Sequence, residues 1–231
     1  MTVERRTIPG RAVIQALVFV VVVPLLPLLI SREWDWWEAW AFAAVSILGF
    51  GASRRLAARR HPDLLAERAQ FTSHDDMKSW DRVLVRLVAL GSAAVPVVAG
   101  INAIYGRAAF AWALKAAALC ALLAGYILSS AALIENRFFS GVVRIQRDRG
   151  QYVVSNGPYG WIRHPGYAGA VLAYLAVPFL LESWWACVPS LLLIVVLVVR
   201  TRLEDSTLMD ELPGYRVYAE RVRSRLVPCI W

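Results

Sequence analysis

Long apolar runs alternating with basic stretches constrain this chain more than any other feature. A membrane-spanning helix needs roughly 20 mostly apolar residues. The runs Ala12–Ile30, Trp36–Ala52, Val83–Tyr105 and Phe110–Ile134 approach or exceed that length. Two shorter runs follow, Tyr167–Leu181 and Trp184–Val199, split by Glu182 and Ser183. At 1.5 Å per residue the pair is too long for one span and reads as a helical hairpin. Each arm is about 15 residues, so the hairpin is expected to penetrate the bilayer without necessarily crossing it. Five or six spans are both compatible with this pattern.

The placement of charge orients these helices. The chain carries 25 Lys plus Arg and a formal net charge of +8. If the N-terminus lies inside, the inner segments 1–11, 53–82, 135–163 and 200–231 hold three, seven, five and six basic residues. The outer connections hold two, Arg32 and Arg107. Twenty-one against two is the positive-inside bias of a multi-pass membrane protein with both termini cytoplasmic. It accounts for the basic balance without nucleic acid, since no segment interleaves basic and aromatic residues as a reading surface. Arg86 and Lys115 lie near the starts of two spans and are expected to snorkel to the interface. Trp34, Trp36, Trp37 and Trp40 form an aromatic belt, with Glu38 at headgroup level.

Composition agrees. The chain is 58% hydrophobic with a mean hydropathy of +0.51, above the roughly 45–50% apolar content of soluble domains. Arg5, Arg6 and Arg11 precede the first run as they would in a signal peptide. The residues after that run, Ser31, Arg32, Glu33 and Trp34, lack a small-residue cleavage site, so a retained helix is expected. Cys120, Cys187 and Cys229 are far apart and lack metal-type spacing, so neither a disulfide framework nor a metal site is expected. Gly49–Phe50–Gly51 is read as ending an apolar helix with no strand before it, unlike a dinucleotide loop. The expected fold is all-α: a single membrane domain over 1–231. In it, 1–134 supplies four helices, and 135–231 supplies the catalytic region with its hairpin, its tail and a cofactor pocket at the cytoplasmic face.

Chemistry-bearing residues concentrate between Arg144 and Tyr218. Ser155–Asn156–Gly157–Pro158–Tyr159 marks a tight turn. Trp161–Ile162–Arg163–His164–Pro165–Gly166–Tyr167 follows, with Pro165 suited to the first turn of a helix and His164 at its cap. Beyond the hairpin, Arg200, Glu204 and Leu208 recur every four residues and share one helix face. A hairpin returns its chain to the side it left, so His164 and Tyr167 are expected beside Arg200 and Glu204. An imidazole, phenols, a guanidinium and a carboxylate walled by apolar helix ends suit a polar cofactor and a lipophilic substrate.

At these residues the chain resembles the isoprenylcysteine carboxyl methyltransferase family and the wider group that includes phospholipid methyltransferases. The matching elements are Gly157–Pro158–Tyr159, Arg163–His164–Pro165–Gly166–Tyr167 with Gly169, then Arg200, Glu204–Asp205 and Leu208. The segment Gly214–Tyr215–Arg216–Val217–Tyr218 and the ending Arg225–Leu226–Val227–Pro228 extend the likeness. In the N-terminal half it rests on Arg60–His61–Pro62 to Arg68. Asp205 stands where the family usually has a second Glu, and Leu212–Pro213–Gly214 replaces an aromatic-Gly pattern. The Ala/Arg-rich composition suits a bacterial member in an inner membrane. The resemblance implies S-adenosyl-L-methionine as cofactor, held by Gln151, Tyr152, Val153, Val154, Tyr159, His164, Pro165, Gly166, Tyr167 and Glu204. It implies Arg200 as the residue facing the acceptor, and Arg144 or Gln146 as an upstream contact. The acceptor it implies is a prenylated or small lipophilic molecule, methylated at a carboxylate that needs no general base at pH 7 or at a thiol that must first be deprotonated. A nicotinamide-dependent membrane reductase and a non-catalytic transport or assembly protein are the competing readings.

Overall fold

The computed structural model describes residues 18–69, 76–228 and 230–231. The start of the first apolar run, the basic segment 1–11 and Cys229 lie outside the described residues. Every regular element described is helical. Val18–Val22 forms a π turn leading into α1 (Val23–Ser31); then come α2 (Trp37–Arg60), α3 (Leu64–Ala69), α4 (Asp81–Tyr105) and α5 (Trp112–Glu135). After two single 3-10 turns, Arg147–Arg149 and Gly157–Gly160, come α6 (Pro165–Leu180), α7 (Cys187–Glu211) and α8 (Tyr215–Arg221).

The ends of these helices have local causes. His61 precedes a proline, which disfavours helical backbone, and it leaves α2 at φ −136°, ψ 84°. Leu212 ends α7 in extended conformation for the same reason, before Pro213. Pro165 opens α6 where its missing N–H is no loss. Two segments are longer than hydropathy suggested. The helix α2 continues past Gly51 to Arg60, and α7 continues past Val199 to Glu211.

Neighbouring helices close a ring in the order α1, α2, α5, α6, α7, α4 and back to α1. The largest of these contacts joins α5 to α6, where Gly125 and Gly169 let the two backbones meet. A Cβ on Gly125 would lie 2.5 Å from the Gly169 carbonyl oxygen. Leu28, Val95, Leu122, Val177 and Leu180 fill the centre. The outer surface is apolar too, with Leu48, Leu90, Ile127 and Leu192 each more than 60% exposed. Such a surface suits lipid rather than water. By length and composition α4 and α5 can each cross a membrane, while the described part of the first apolar segment and α6 are shorter apolar helices.

At the end of the bundle formed by the 32–36, 106–111 and 181–186 connections, one expectation needs correction. Lys115 does not snorkel outward but is buried with Glu38, itself 2% exposed. The Lys115 ammonium sits 2.5 Å from Glu38 Oε1 and 3.2 Å from Glu182 Oε1. Arg107 reaches Glu182 at 3.0 Å and Glu33 at 2.9 Å. A buried ammonium is tolerated only when paired, and here it ties α2, α5 and the hairpin turn together. Arg86 is exposed.

Candidate functional site

At the opposite end, the last turns of α7, the start of α6, the 136–163 segment, α8 and α3 enclose a cavity of about 1040 Å³ including its open mouth. Arg200, Glu204 and Leu208 line it together, as their spacing on one helix face requires. Gln151, Tyr152, Val153, Val154, Tyr159, His164, Gly166 and Tyr167 line it as well. Pro165 is buried at the head of α6 and is not among the lining residues. Of the residues singled out from the sequence for cofactor or acceptor, all but Pro165 therefore come to one place.

The polar groups inside are individually held. Tyr167 donates its hydroxyl to Glu204 Oε2 at 2.6 Å, and the Arg200 guanidinium lies 5.6 Å from the Tyr167 ring centre. Arg200 donates Nε to Asp81 Oδ1 at 2.6 Å, and Nη2 to Asp81 Oδ2 at 2.9 Å and to the Gly141 carbonyl at 3.0 Å. This two-pronged pairing uses two of its three nitrogens. Among the described residues, Nη1 makes no hydrogen bond.

His164 has no side-chain capping bond to α6. Its Nε2 lies 3.0 Å from Asp205 Oδ1. An ionised carboxylate only accepts, so that nitrogen carries the proton. Asp205 is 1% exposed and also accepts from Arg163 twice at 2.8 Å, from Tyr215 at 2.9 Å and from Arg225 at 2.8 Å. Burial alone would raise its pKa. The donors His164, Arg163 and Arg225 outweigh burial and hold it well below the usual carboxylate range. Burial and the Asp205 charge together push the Tyr215 phenol far up, so it stays a neutral donor. Arg163 also donates to the Val222 and Arg223 carbonyls at 2.8 and 2.9 Å. Asp205 is thus a hub fastening the C-terminal segment to the start of α6.

Both upstream candidates reach the cavity wall but are occupied by protein partners. Arg144 pairs with Glu67, Asp76 and Asp148 at 2.8–3.0 Å. The Gln146 amide donates to the Phe138 carbonyl at 2.7 Å and accepts from Arg149. Tyr159 is fixed through Asn136 at 3.2 Å, and burial raises its pKa. Tyr152 is exposed and sits edge-on to Phe138, with ring centres 4.9 Å apart.

Two residues escaped a reading of the sequence as site residues. Asp81 is fully buried; it holds Arg200 and accepts the Val143 N–H at 2.6 Å. Arg68 lines the cavity from α3 and donates to the Phe139 carbonyl at 3.0 Å. An acid at a helix start reads as a complement to the helix dipole, so nothing local to Asp81 announces a partner at Arg200.

Comparison with known proteins agrees with this geometry. Residues 116–210 match the isoprenylcysteine carboxyl methyltransferase (ICMT) family, a segment that begins in α5 and ends at the base of the cavity. The chain is 39% identical over 62 residues to the uncharacterized protein YpbQ of Bacillus subtilis (strain 168), covering 26% of this chain and 37% of that one. It is 29% identical over 116 residues to the lamin-B receptor of Drosophila melanogaster, covering 48% and 15% respectively. The chain therefore spans well under half the length of these relatives. The hairpin, Arg200 and Glu204 all fall inside residues 116–210, the segment that matches the isoprenylcysteine carboxyl methyltransferase family.

Proposed function

We propose that this protein transfers a methyl group from S-adenosylmethionine to a lipophilic acceptor at the membrane surface, at a carboxylate oxygen or a thiol. One observation carries the reading. His164, Tyr167, Arg200 and Glu204, inside a methyltransferase-family segment, converge on one cavity with aromatic and apolar walls. The donor set fits the cofactor. Glu204 offers a carboxylate to a ribose hydroxyl or an amino group, and Phe138 and Tyr152 offer ring faces and edges. Gln151, Val153, Val154 and Gly166 would complete its walls. When bound, S-adenosylmethionine supplies a methyl group activated by its sulfonium.

The chain's own work is positioning and exclusion of water. Asp81 locks two nitrogens of Arg200 and leaves Nη1 for one oxygen of an acceptor carboxylate. A one-oxygen grip leaves the other oxygen nucleophilic, and a carboxylate is already ionised at pH 7. For a thiol acceptor, the Arg200 charge would instead favour the thiolate. Asp205 fixes the His164 ring against the cavity. The reading places the cavity at the cytoplasmic face because the segments around it hold most of the basic residues. It takes the six ring helices as the membrane domain, with the hairpin as its shallow member.

Calorimetric titration of S-adenosylmethionine into detergent-purified protein tests this. Wild type should bind, and Glu204→Ala and His164→Ala should each weaken binding by about tenfold or more, the worth of a charge-assisted hydrogen bond. A folded wild type that does not bind overturns the proposal.

A further inference from the structure

Arg68 stands out among the cavity's charges because no counter-ion for it lies among the described residues. Arg144 pairs with three carboxylates, Arg163 with Asp205 and Arg200 with Asp81. Arg68 donates to one backbone carbonyl and lies 5.4 Å from the Phe139 ring centre, with no carboxylate partner among the described residues. Burial and the like charge of Arg200 bring its pKa down to about 10, yet an arginine stays charged at neutral pH. A guanidinium lining a cavity beside a second guanidinium is a poor arrangement until an anion arrives. The Glu204 carboxylate, meanwhile, is engaged by Tyr167. Arg68 lies outside the family-matched segment, so nothing in that match assigns it a role.

We propose that Arg68 is a ligand-binding residue that, together with Arg200, forms a two-guanidinium seat for a carboxylate in the cavity. This rests on the methyl-transfer reading, in which two carboxylates are available: that of the cofactor's amino-acid part and that of the acceptor. The shared chemistry is a carboxylate oxygen received jointly by Nη1 of Arg200 and the planar N–H fork of Arg68, which leaves an acceptor's second oxygen nucleophilic. Phe139 holds that fork in place through its carbonyl and its ring.

Two pairs of probes separate the sources on the full chain in detergent. One pair is S-adenosylmethionine and its decarboxylated form; the other is N-acetyl-S-farnesylcysteine and its methyl ester. If the seat takes the cofactor, Arg68→Gln weakens S-adenosylmethionine about tenfold or more and leaves the decarboxylated form within about twofold. If it takes the acceptor, the same selective loss appears for the farnesylcysteine acid against its ester. Arg68→Lys, which keeps the charge and loses the fork, should recover part of the affinity in the affected pair. Arg68→Gln that binds all four probes like wild type, or weakens all four alike, overturns the proposal and leaves methyl transfer standing. A folded wild type that binds none of the four removes both.

Discussion

Asp205 concentrates more of the site's order than any other side chain. Five hydrogen bonds from four residues converge on one buried carboxylate, drawn from the start of α6, from α8 and from the C-terminal segment. Removing one partner of a buried charged set costs about 3–5 kcal/mol, because the others remain buried and uncompensated. Asp205→Asn should therefore lower the thermal unfolding midpoint in detergent substantially. The pH dependence has a definite sign. The folded-state pKa lies below the unfolded value of about 3.9, so the stabilisation is fully present above that value. It is lost as pH falls below about 4 toward the folded pKa. Unfolding midpoints of wild type should fall more steeply below pH 4 than those of Asp205→Asn, and parallel curves would refute this. The spacing of residues on α7 made Glu204 legible as a pocket residue. The role of its neighbour was not legible: in sequence Asp205 reads only as a shortened Glu, whereas its partners lie 10 to 42 residues away.

Between elements, the α5–α6 contact depends on two residues without side chains. Gly169→Val would drive a side chain into the Gly125 carbonyl and Ser129. Overpacking of this kind costs about 1–3 kcal/mol or more, and here it would also displace the start of α6, where His164, Gly166 and Tyr167 sit. Gly51, inside α2, has nothing within 4 Å of an added Cβ. Gly51→Ala should be neutral or stabilise by up to about 1 kcal/mol, from helix propensity alone. Thermal unfolding of the two variants side by side checks the pair. Equal effects would mean that the α5–α6 approach is not what makes the glycine at 169 necessary. Helix positions were legible where long apolar runs mark them: Val83–Tyr105 became Asp81–Tyr105, and Phe110–Ile134 became Trp112–Glu135. The extensions of α2 to Arg60 and α7 to Glu211 were not. Hydropathy marks where an apolar environment ends, whereas a helix ends where its backbone is broken, here ahead of Pro62 and Pro213.

Across the whole molecule, charge and apolar surface point the same way. In the orientation proposed here, Arg147, exposed on the 147–149 turn, faces the cytosol, and Trp184, 61% exposed in the hairpin turn, faces the other side. Single cysteines at Arg147 and Trp184, in a background lacking Cys120, Cys187 and Cys229, should label oppositely with a membrane-impermeant maleimide. From outside intact cells only Trp184→Cys should react; Arg147→Cys should react in inverted vesicles. Labelling of both from one side would refute the orientation, and with it the cytoplasmic placement of the cavity.

By itself the sequence determined the helical class, the apolar segments, the charge asymmetry and the convergence of His164, Tyr167, Arg200 and Glu204. Each of these follows from local quantities: the length of an apolar run, the sign of a loop, the 3.6-residue period of a helix and the return of a hairpin to its starting side. Only the tertiary structure decided that Asp81 holds Arg200, that Lys115 is buried against Glu38 and Glu182, and that Arg68 enters the cavity. The physical reason is closure of the helix ring. Packing α4 against α7 and α2 against α5 brings together residues 77 to 119 positions apart, and no local periodicity records which charges then meet.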